Sequence, residues 1–292
     1  MSTIKEYNVK IKSLKNTKKI TSTMKMVSAS KLRRAQQAQA NAKLYAKSIT
    51  TLVSRLSSSI DPHQHPLLTP HKKVNNILIL VVSSDKGLAG AFNNNINKQV
   101  LSWVQAHQGQ YEKVDVSCCG KKANMFFRRR MTIKQFYANM TAAPTFANAK
   151  KVGNDLIGDF LSKAYDEVYV TYNEFFSPLS QKTTFTKVLP IDPKALIPDD
   201  EQKKSKSIPY IFEPEISELL NFLIPHFVFF KIYFALLENS AGEHGARMTA
   251  MDSATKNASE LMNKYLLYRN RARQASITTE LLEIISGAEA LK

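Results

Sequence analysis

The chain has 292 residues, of which 43% are hydrophobic and 22% are charged, so it can bury a core and is not a disordered protein. Lys and Arg number 41 against 24 Asp and Glu, which gives a formal net charge of +17 at pH 7. Cys118 and Cys119 are neighbours, and a bond between them would close almost no loop. We therefore expect two reduced strand residues in a cytosolic protein.

Residues 1–60 are predicted to form one long, basic helix. No Gly or Pro occurs between Ser2 and Ser57, and apolar residues recur at steps of three and four, the heptad spacing of a coiled coil. The segment contains thirteen Lys and Arg but a single acid, Glu6, so it carries a formal charge of +12. Such a concentration of charge predicts an acidic partner: nucleic acid, anionic lipid or an acidic protein surface.

The apolar stripe of this helix is weakest between Asn16 and Arg34. In that stretch only Ile20, Met24 and Val27 are predicted to continue it, and the remaining surface is polar and basic. The stripe elsewhere is stronger, and its members are Ile4, Tyr7, Ile11, Leu14, Ala35, Ala38, Ala42, Tyr45, Ile49, Leu52 and Leu56.

The middle of the chain, residues 72–192, is predicted to be a separate α/β domain. Apolar runs of strand length alternate with stretches of helical periodicity. The predicted strands are Val74–Val82, Lys113–Cys119, Thr132–Tyr137, Glu167–Asn173 and Lys182–Leu189, and helices are predicted through Trp103, at Lys121–Arg129 and at Phe146–Ala164. This alternation favours a Rossmann-like, mostly parallel, doubly wound sheet.

A glycine-containing turn after the first strand raises the question of a nucleotide site. Gly87 and Gly90 follow a strand and open a helix, a place where backbone N–H groups can hold phosphate. The chain has neither the G-x-G-x-x-G nor the G-x-x-x-x-G-K-[ST] spacing, so the turn is predicted to be structural. The six His show no metal-ligand spacing, and no nucleophile with a nearby base stands out. We expect no catalytic residue, cofactor or metal site.

Residues 193–209, rich in Pro, Asp and Lys, are predicted to be an exposed loop, and residues 210–292 a second long helix. From Ile216 onward apolar residues recur at steps of four and three, and after a one-residue slip at Tyr268 the stripe continues through Ala272, Ala275 and Thr279 to Leu282. At 1.5 Å per residue one helix would reach about 100 Å, which is too long for a single compact domain.

Three residues leave open an alternative of several stacked helices, namely Pro225, Gly242 and Gly245. If the helix is single, it needs a partner, and residues 1–60 provide the other heptad pattern. Because the chain returns through a domain, the two helices are expected to be antiparallel. The predicted fold class is therefore α/β, with a long antiparallel coiled coil of the terminal helices and a Rossmann-like sheet domain.

Short motifs at several places are specific enough to indicate a family. Ile277-Thr278, Glu280, Glu283 and Gly287-Ala288 fit a signature of Ile-Thr-x-Glu, two residues, an acid, three residues and Gly-Ala. The run from Ile11 to Arg33, the Ser84–Gly90 turn and Ala246-Arg247-Met248 fit as well, and the match is looser from Tyr111 to Phe212. With these motifs the chain resembles the γ subunit of F-type ATP synthase.

The resemblance implies a central rotor shaft. Its coiled coil would lie inside a hexamer of alternating α and β subunits, and its α/β domain would contact the ε subunit and the c-ring of the membrane sector. Proton flow would turn ring and shaft, and ATP would form at β-subunit sites. The N-terminus has no signal-peptide core, and the apolar stretch Leu219–Leu237 is interrupted by polar residues and Pro. We expect a peripheral protein at the cytoplasmic face of a bacterial inner membrane, without a membrane span.

The resemblance also implies which residues contact partners. Arg247, Arg273 and Gln274 fall where the family places its catch contacts with β subunits, and an Arg fork can bind a carboxylate through two hydrogen bonds. An acidic β loop would face a basic set on the first helix, comprising Lys18, Lys19, Lys25, Lys31, Arg33 and Arg34. Coupling roles are implied for Met24, Thr278, Glu280 and Glu283.

The residues alone leave two other function classes open. A basic coiled coil could bind nucleic acid through phosphate contacts, although Tyr45 is the only aromatic after Tyr7 in residues 1–60. A Rossmann-type enzyme with helical arms would need a nucleotide fingerprint, which the chain lacks.

Overall fold

The computed structural model describes residues 3–58, 65–192 and 216–290. The elements within these ranges are, in order, α1 (Ile4–Ser58), β1 (Asn76–Val82), α2 (Phe92–Ala106), β2 (Lys113–Cys119), α3 (Lys121–Phe127), β3 (Ile133–Tyr137), α4 (Phe146–Leu161), β4 (Glu167–Phe175), β5 (Gln181–Leu189) and α5 (Ile216–Ala290). The loop predicted over residues 193–209 lies outside the described residues.

The chain divides into two compact units. The first, called here the coil unit, comprises Met1–Ala29 and Arg247–Lys292, and the second, called the sheet unit, comprises Ser30–Ala246. The predicted division into residues 1–60, 72–192, 193–209 and 210–292 follows the secondary structure instead, and it stays a prediction.

The sheet has the strand order β3-β2-β1-β4-β5. The first four strands are parallel, and β5 pairs antiparallel with β4. Helices α2, α3 and α4 connect the parallel strands, because parallel neighbours need a long crossover connection, which is usually a helix. The prediction of a mostly parallel sheet between two terminal helices is therefore confirmed.

Strand β1 lies at the centre and is buried on both faces. Leu78, Leu80 and Val82 join an apolar cluster with residues of α4, α5 and the second half of α1. The alternating residues Ile77, Ile79 and Val81 join the cluster with α2 and α3. The period of two along a strand explains why one apolar run supplies two core layers.

Helix α5 is one continuous helix, so the alternative of several stacked helices is wrong. It continues through Pro225, Gly242 and Gly245. Pro225 removes one backbone hydrogen bond, but its neighbours Ile224 and Val228 are fully buried, and this burial keeps the segment in place.

The two glycines have a packing role in the sheet unit. A Cβ at Gly242 would be 2.8 Å from Cε2 of Phe92, and one at Gly245 would be 3.0 Å from Cε2 of Phe175. Neither distance leaves room for a methyl group without movement of a ring. Close packing of this part of α5 against the rest of the sheet unit therefore explains both glycines.

Candidate subunit-docking surface

In the coil unit, α1 and α5 pair in antiparallel orientation. The ring of Tyr7 lies 6.2 Å from those of Tyr265 and Tyr268, and Thr21 Oγ1 lies 2.7 Å from Thr255 Oγ1. Rising residue numbers on α1 thus meet falling numbers on α5, which confirms the predicted antiparallel pairing for this unit.

The centre of this helix pair is polar, which corrects the predicted stripe. Ile20 and Val27 are 59% and 50% exposed, whereas Thr21 and Ser28 are only 8% and 3% exposed. The seven-residue repeat from Leu14 leads to Thr21 and Ser28, so the helix period decides which residues face the partner. Thr21 tolerates burial because its hydroxyl bonds to Thr255 and to backbone oxygens of its own helix.

One member of the basic set is already paired within the chain. Lys25 Nζ lies 2.6 Å from Asp252 Oδ1, and Lys256 Nζ lies 3.0 Å from the other oxygen of the same carboxylate. The hydrogen bond from Lys25, followed by that from Lys256, lowers the pKa of Asp252. Lys25 is thus partly neutralised by its own chain.

The other basic residues differ in their surroundings. Within the coil unit Lys19 is exposed and Lys18 is half-buried, and Met24 nearby is half-buried as well. Lys31, Arg33 and Arg34 belong to the sheet unit, where all three are exposed.

The three predicted catch residues also differ. Arg273 and Gln274 are exposed on α5 and available to another chain. Arg247 is only 6% exposed and has an interaction partner within the protein. Arg247 is therefore largely covered in the free chain, while Arg273 and Gln274 form an open surface.

The last part of α5 is exposed on every side. All residues from 277 to 288 are exposed, including Thr278, Glu280 and Glu283. The stretch of residues 277–288 is called here the α5 tip. Five of its large apolar residues are 49% to 68% exposed, namely Ile277, Leu281, Leu282, Ile284 and Ile285. Exposed apolar residues grouped in this way, with polar residues between them, make the stretch a candidate protein–protein interaction site.

The start of α1 explains this exposure. Tyr7 contacts Tyr268, and α1 begins only three residues earlier, at Ile4, so the tip of α5 extends beyond the first turn of α1. Ala275, Thr279 and Leu282 were predicted to face the partner helix, but all three are exposed, so that part of the predicted stripe is wrong. Sequence reasoning also missed Leu281, Ile284 and Ile285, although their spacing from Ile277 places all four residues on one face of the helix.

The turn after β1 is hydrogen-bonded to the start of α3. Ser83 Oγ accepts a hydrogen bond from the Ala123 N–H, and Asp85 Oδ1 accepts one from the Lys121 N–H at the start of α3. The Asp85 carboxylate thus lies at the N-terminus of α3, where a negative charge is favourable, and it ties the turn to that helix.

Helix α5 covers the place where open α/β sheets bind ligands. Ligands bind there at the carboxyl ends of strands where the strand order reverses, which here lies between β1 and β4. Asn239 donates to the Ser83 carbonyl oxygen after β1 at 3.2 Å, and Glu238 accepts from the Phe175 N–H at the end of β4 at 2.8 Å. The side chains of α5 therefore occupy the usual nucleotide crevice.

The described ranges bear on two further kinds of site, a metal centre and a membrane span. Residues 3–58, 65–192 and 216–290 hold no group of three His, Cys, Asp or Glu placed for a metal ion. Helix α5 contains a stretch long and apolar enough to cross a membrane, but half of that stretch is buried in the protein, as in a core helix. Cys118 and Cys119 are buried, unpaired thiols, and burial raises the pKa of Cys118 to about 12.

Comparison with known proteins gives a consistent result. A family model described as ATP synthase matches residues 3–291. The ATP synthase gamma chain of Trichlorobacter lovleyi is 42% identical over 292 residues, and that of Geobacter sp. strain M21 is 40% identical over 292 residues; both alignments cover 100% of each chain.

Two solved structures share the fold. A chain of the Euglena gracilis mitochondrial ATP synthase rotor aligns with a TM-score of 0.64 at 18% identity, covering 94% of this chain and 98% of that one. A chain of the Tetrahymena thermophila mitochondrial ATP synthase central stalk and c-ring aligns with a TM-score of 0.61 at 23% identity, covering 80% and 99%. None of these matches supports the alternative of a nucleic-acid-binding coiled coil.

Proposed function

Because this chain belongs to the family of ATP synthase gamma chains, we propose that it is the central rotor shaft of an F-type ATP synthase. The shaft couples proton-driven rotation of the c-ring to ATP synthesis or hydrolysis at β-subunit sites. The observation that carries this function is the 42% identity with a gamma chain over the full length of both proteins.

The α5 tip is the part of this chain that the hexamer of α and β subunits holds. Its apolar side chains are exposed in the free chain, and burial of each would contribute roughly 1.5–3 kcal/mol to association. Four of the five residues, Ile277, Leu281, Ile284 and Ile285, lie on one broad face of the helix, which suits an apolar groove on the hexamer.

Torque transmission requires contacts that differ between the conformations of a β subunit. The exposed Arg273 and Gln274 supply hydrogen-bond donors for one such contact, and Lys31, Arg33 and Arg34 supply positive charge for an acidic β loop. Catalysis belongs to the β subunits, and this chain contributes no catalytic residue.

The remaining partners are the ε subunit and the c-ring, which the sheet unit contacts. The protein is then peripheral, held at the cytoplasmic face of a bacterial inner membrane by the c-ring rather than by a span of its own.

Reconstitution tests the rotor role directly. Mixing the purified chain with matching α and β subunits should give a defined complex that hydrolyses ATP and rotates the chain in single-molecule records. Failure of the three proteins to co-purify would refute the role.

A tip variant tests the docking surface. Leu281→Ser combined with Ile284→Ser should weaken binding to the α and β hexamer about a hundredfold, because two apolar side chains no longer leave water on binding. Circular dichroism of the free chain should not change, since both residues are exposed. Met125→Ser on α3, at 56% exposed, is the matched control and should bind as the parent does. Equal binding by the tip variant would exclude this surface.

The catch contact has a separate test. Arg273→Ala combined with Gln274→Ala should reduce coupled ATP synthesis while the chain keeps its fold and its place in the complex. Unchanged synthesis would remove these two residues from the coupling contact without affecting the rotor role.

A further inference from the structure

The sheet unit contains a small cavity that lies apart from the candidate docking surface. Its volume is about 130 Å³, and it lies between α1, α5 and strands β4 and β5. Most of the wall is apolar, including Val170 and Val188 from the strands and Phe230 and Phe234 from α5. An engineered apolar cavity of about 150 Å³ holds a benzene molecule, so this one has room for a single ring or a short branched chain.

Among the described residues of this lining, Lys231 alone is charged. Its Nζ lies 5.2 Å from the centre of the Phe227 ring, which faces the ammonium with its negative π-surface. No described residue forms an ion pair or hydrogen bond with this ammonium. Glu238, seven residues further along α5, does not line the cavity, and its carboxylate is hydrogen-bonded by Gln39 and by the Phe175 N–H. Burial lowers the pKa of Lys231 from its ordinary value, which is the sign of a cation held away from water without a counter-ion.

The polar part of the lining adds hydroxyl groups. Thr50, Tyr172 and Thr186 bring one hydroxyl each from α1, β4 and β5. Hydroxyls can donate to a second oxygen of a ligand whose first oxygen meets the ammonium. The cavity thus combines one cation, a few donors and an apolar wall.

We propose that this cavity binds a small organic monocarboxylate whose apolar body is no larger than a benzene ring. The carboxylate pairs with the Lys231 ammonium, and the body packs against the strand valines and the α5 phenylalanines. A neutral hydrocarbon would leave the ammonium unpaired, and a phosphate would bring more charge than one lysine balances into an apolar space. The site is separate from the α5 tip and does not depend on the rotor role.

Benzoate is a suitable probe, titrated into the purified full-length chain and followed by ligand-observed NMR. We expect saturable binding at one site, with benzyl alcohol, which has the same ring without the charge, binding at least about tenfold more weakly. No saturation by benzoate at millimolar concentration would overturn the proposal, and so would equal binding of the two probes.

Two variants separate the contribution of the Lys231 charge from that of the cavity volume. Lys231→Met keeps the length of the side chain and should weaken benzoate binding about tenfold or more, while benzyl alcohol binding stays the same. Ala46→Leu fills the cavity from α1 with a good helix former and should abolish binding of both probes. The matched control is Lys187→Met, which removes an exposed lysine paired with Glu167 and should bind benzoate as the parent does. Undiminished benzoate binding by Lys231→Met would refute the assignment.

Discussion

The two units of the chain use apolar side chains in opposite ways. In the sheet unit the central strand β1 is buried on both faces, and Ile79 and Leu80 have no exposed surface. Among the described residues of the coil unit, the buried apolar side chains are Met251 and Ala258, while large residues such as Ile284 stay exposed. The sheet unit is therefore stabilised by its own core, whereas large apolar residues of the coil unit stay exposed in the free chain.

The largest effect is expected in the core of the sheet unit. Leu80→Ala should lower the free energy of unfolding of this unit by roughly 2–5 kcal/mol, because it removes a fully buried side chain and leaves a cavity. Trp103 on α2 is the only tryptophan, so its fluorescence during urea unfolding reports on this unit.

The coil unit supplies the control for that measurement. Val9→Ala on α1 changes a residue that is 63% exposed and should alter the stability of the free chain by less than about 0.5 kcal/mol. A loss from Val9→Ala as large as that from Leu80→Ala would contradict the contrast between the units.

A smaller loss of stability is expected where α5 packs against α2 within the sheet unit. Gly242→Ala should lower the free energy of unfolding by about 1–2 kcal/mol, since overlap with the buried Phe92 ring exceeds the gain in helix propensity. Urea unfolding followed by Trp103 fluorescence again measures it.

Gly158 provides a matched comparison in the same unit. It lies inside α4, is exposed, and a Cβ there would meet no atom within 4 Å. Gly158→Ala should therefore stabilise the protein by up to about 1 kcal/mol. The same sign for both substitutions would show that close packing does not explain Gly242.

The sheet unit was the more predictable of the two. The apolar run of β1 and the alternating periods predicted five strands close to their observed positions, because buried strands have few other sequence patterns. Boundaries were less accurate: α4 was predicted to reach Ala164 but ends at Leu161, and Lys163 adopts a positive φ of 58°. No residue type in that stretch signals such a conformation, since Lys rarely adopts it.

The candidate docking surface was only partly predictable. The motif identified Thr278, Glu280 and Glu283, which are exposed as a contact surface requires. Hydrophobicity alone selected Ile20 and Val27 for the helix contact, yet Thr21 and Ser28 are buried there, because a hydroxyl bonded across the pair can be buried at little cost. Such pairing depends on the register of two distant segments, which one sequence pattern does not reveal.

The polar centre of the coil unit can be tested by substitution on both helices. Thr21→Val should cost about 0.5–1.5 kcal/mol, because it removes the 2.7 Å hydrogen bond to Thr255. Combining it with Thr255→Val should recover part of the loss, since two apolar groups replace a bonded polar pair. Native-state hydrogen exchange of α5 amides near Thr255 measures both values locally. Simple additivity of the two losses would show that the hydroxyls do not interact.

The smallest effect is expected at the surface pair of Lys25 and Asp252. The pKa of the Asp252 carboxyl is lowered in the folded chain, first by the hydrogen bond from Lys25. A lowered carboxyl pKa stabilises the fold above the ordinary value of 3.8, and this contribution is lost as pH falls through the folded pKa. Asp252→Asn should therefore melt slightly below the parent at neutral pH and together with it in strong acid, as followed by circular dichroism.

Salt and a second variant make this last test specific. Both side chains are partly exposed, so raising the salt concentration should shrink the difference between Asp252→Asn and the parent at neutral pH. Lys256→Met keeps the contact between Lys25 and Asp252. The melting temperature of this variant should therefore still fall from neutral to acid pH by most of the amount seen for the parent. A difference that persists below the folded pKa of Asp252 would mean that the asparagine acts through packing rather than through charge. The coil unit would then depend less on electrostatics than its basic sequence suggests.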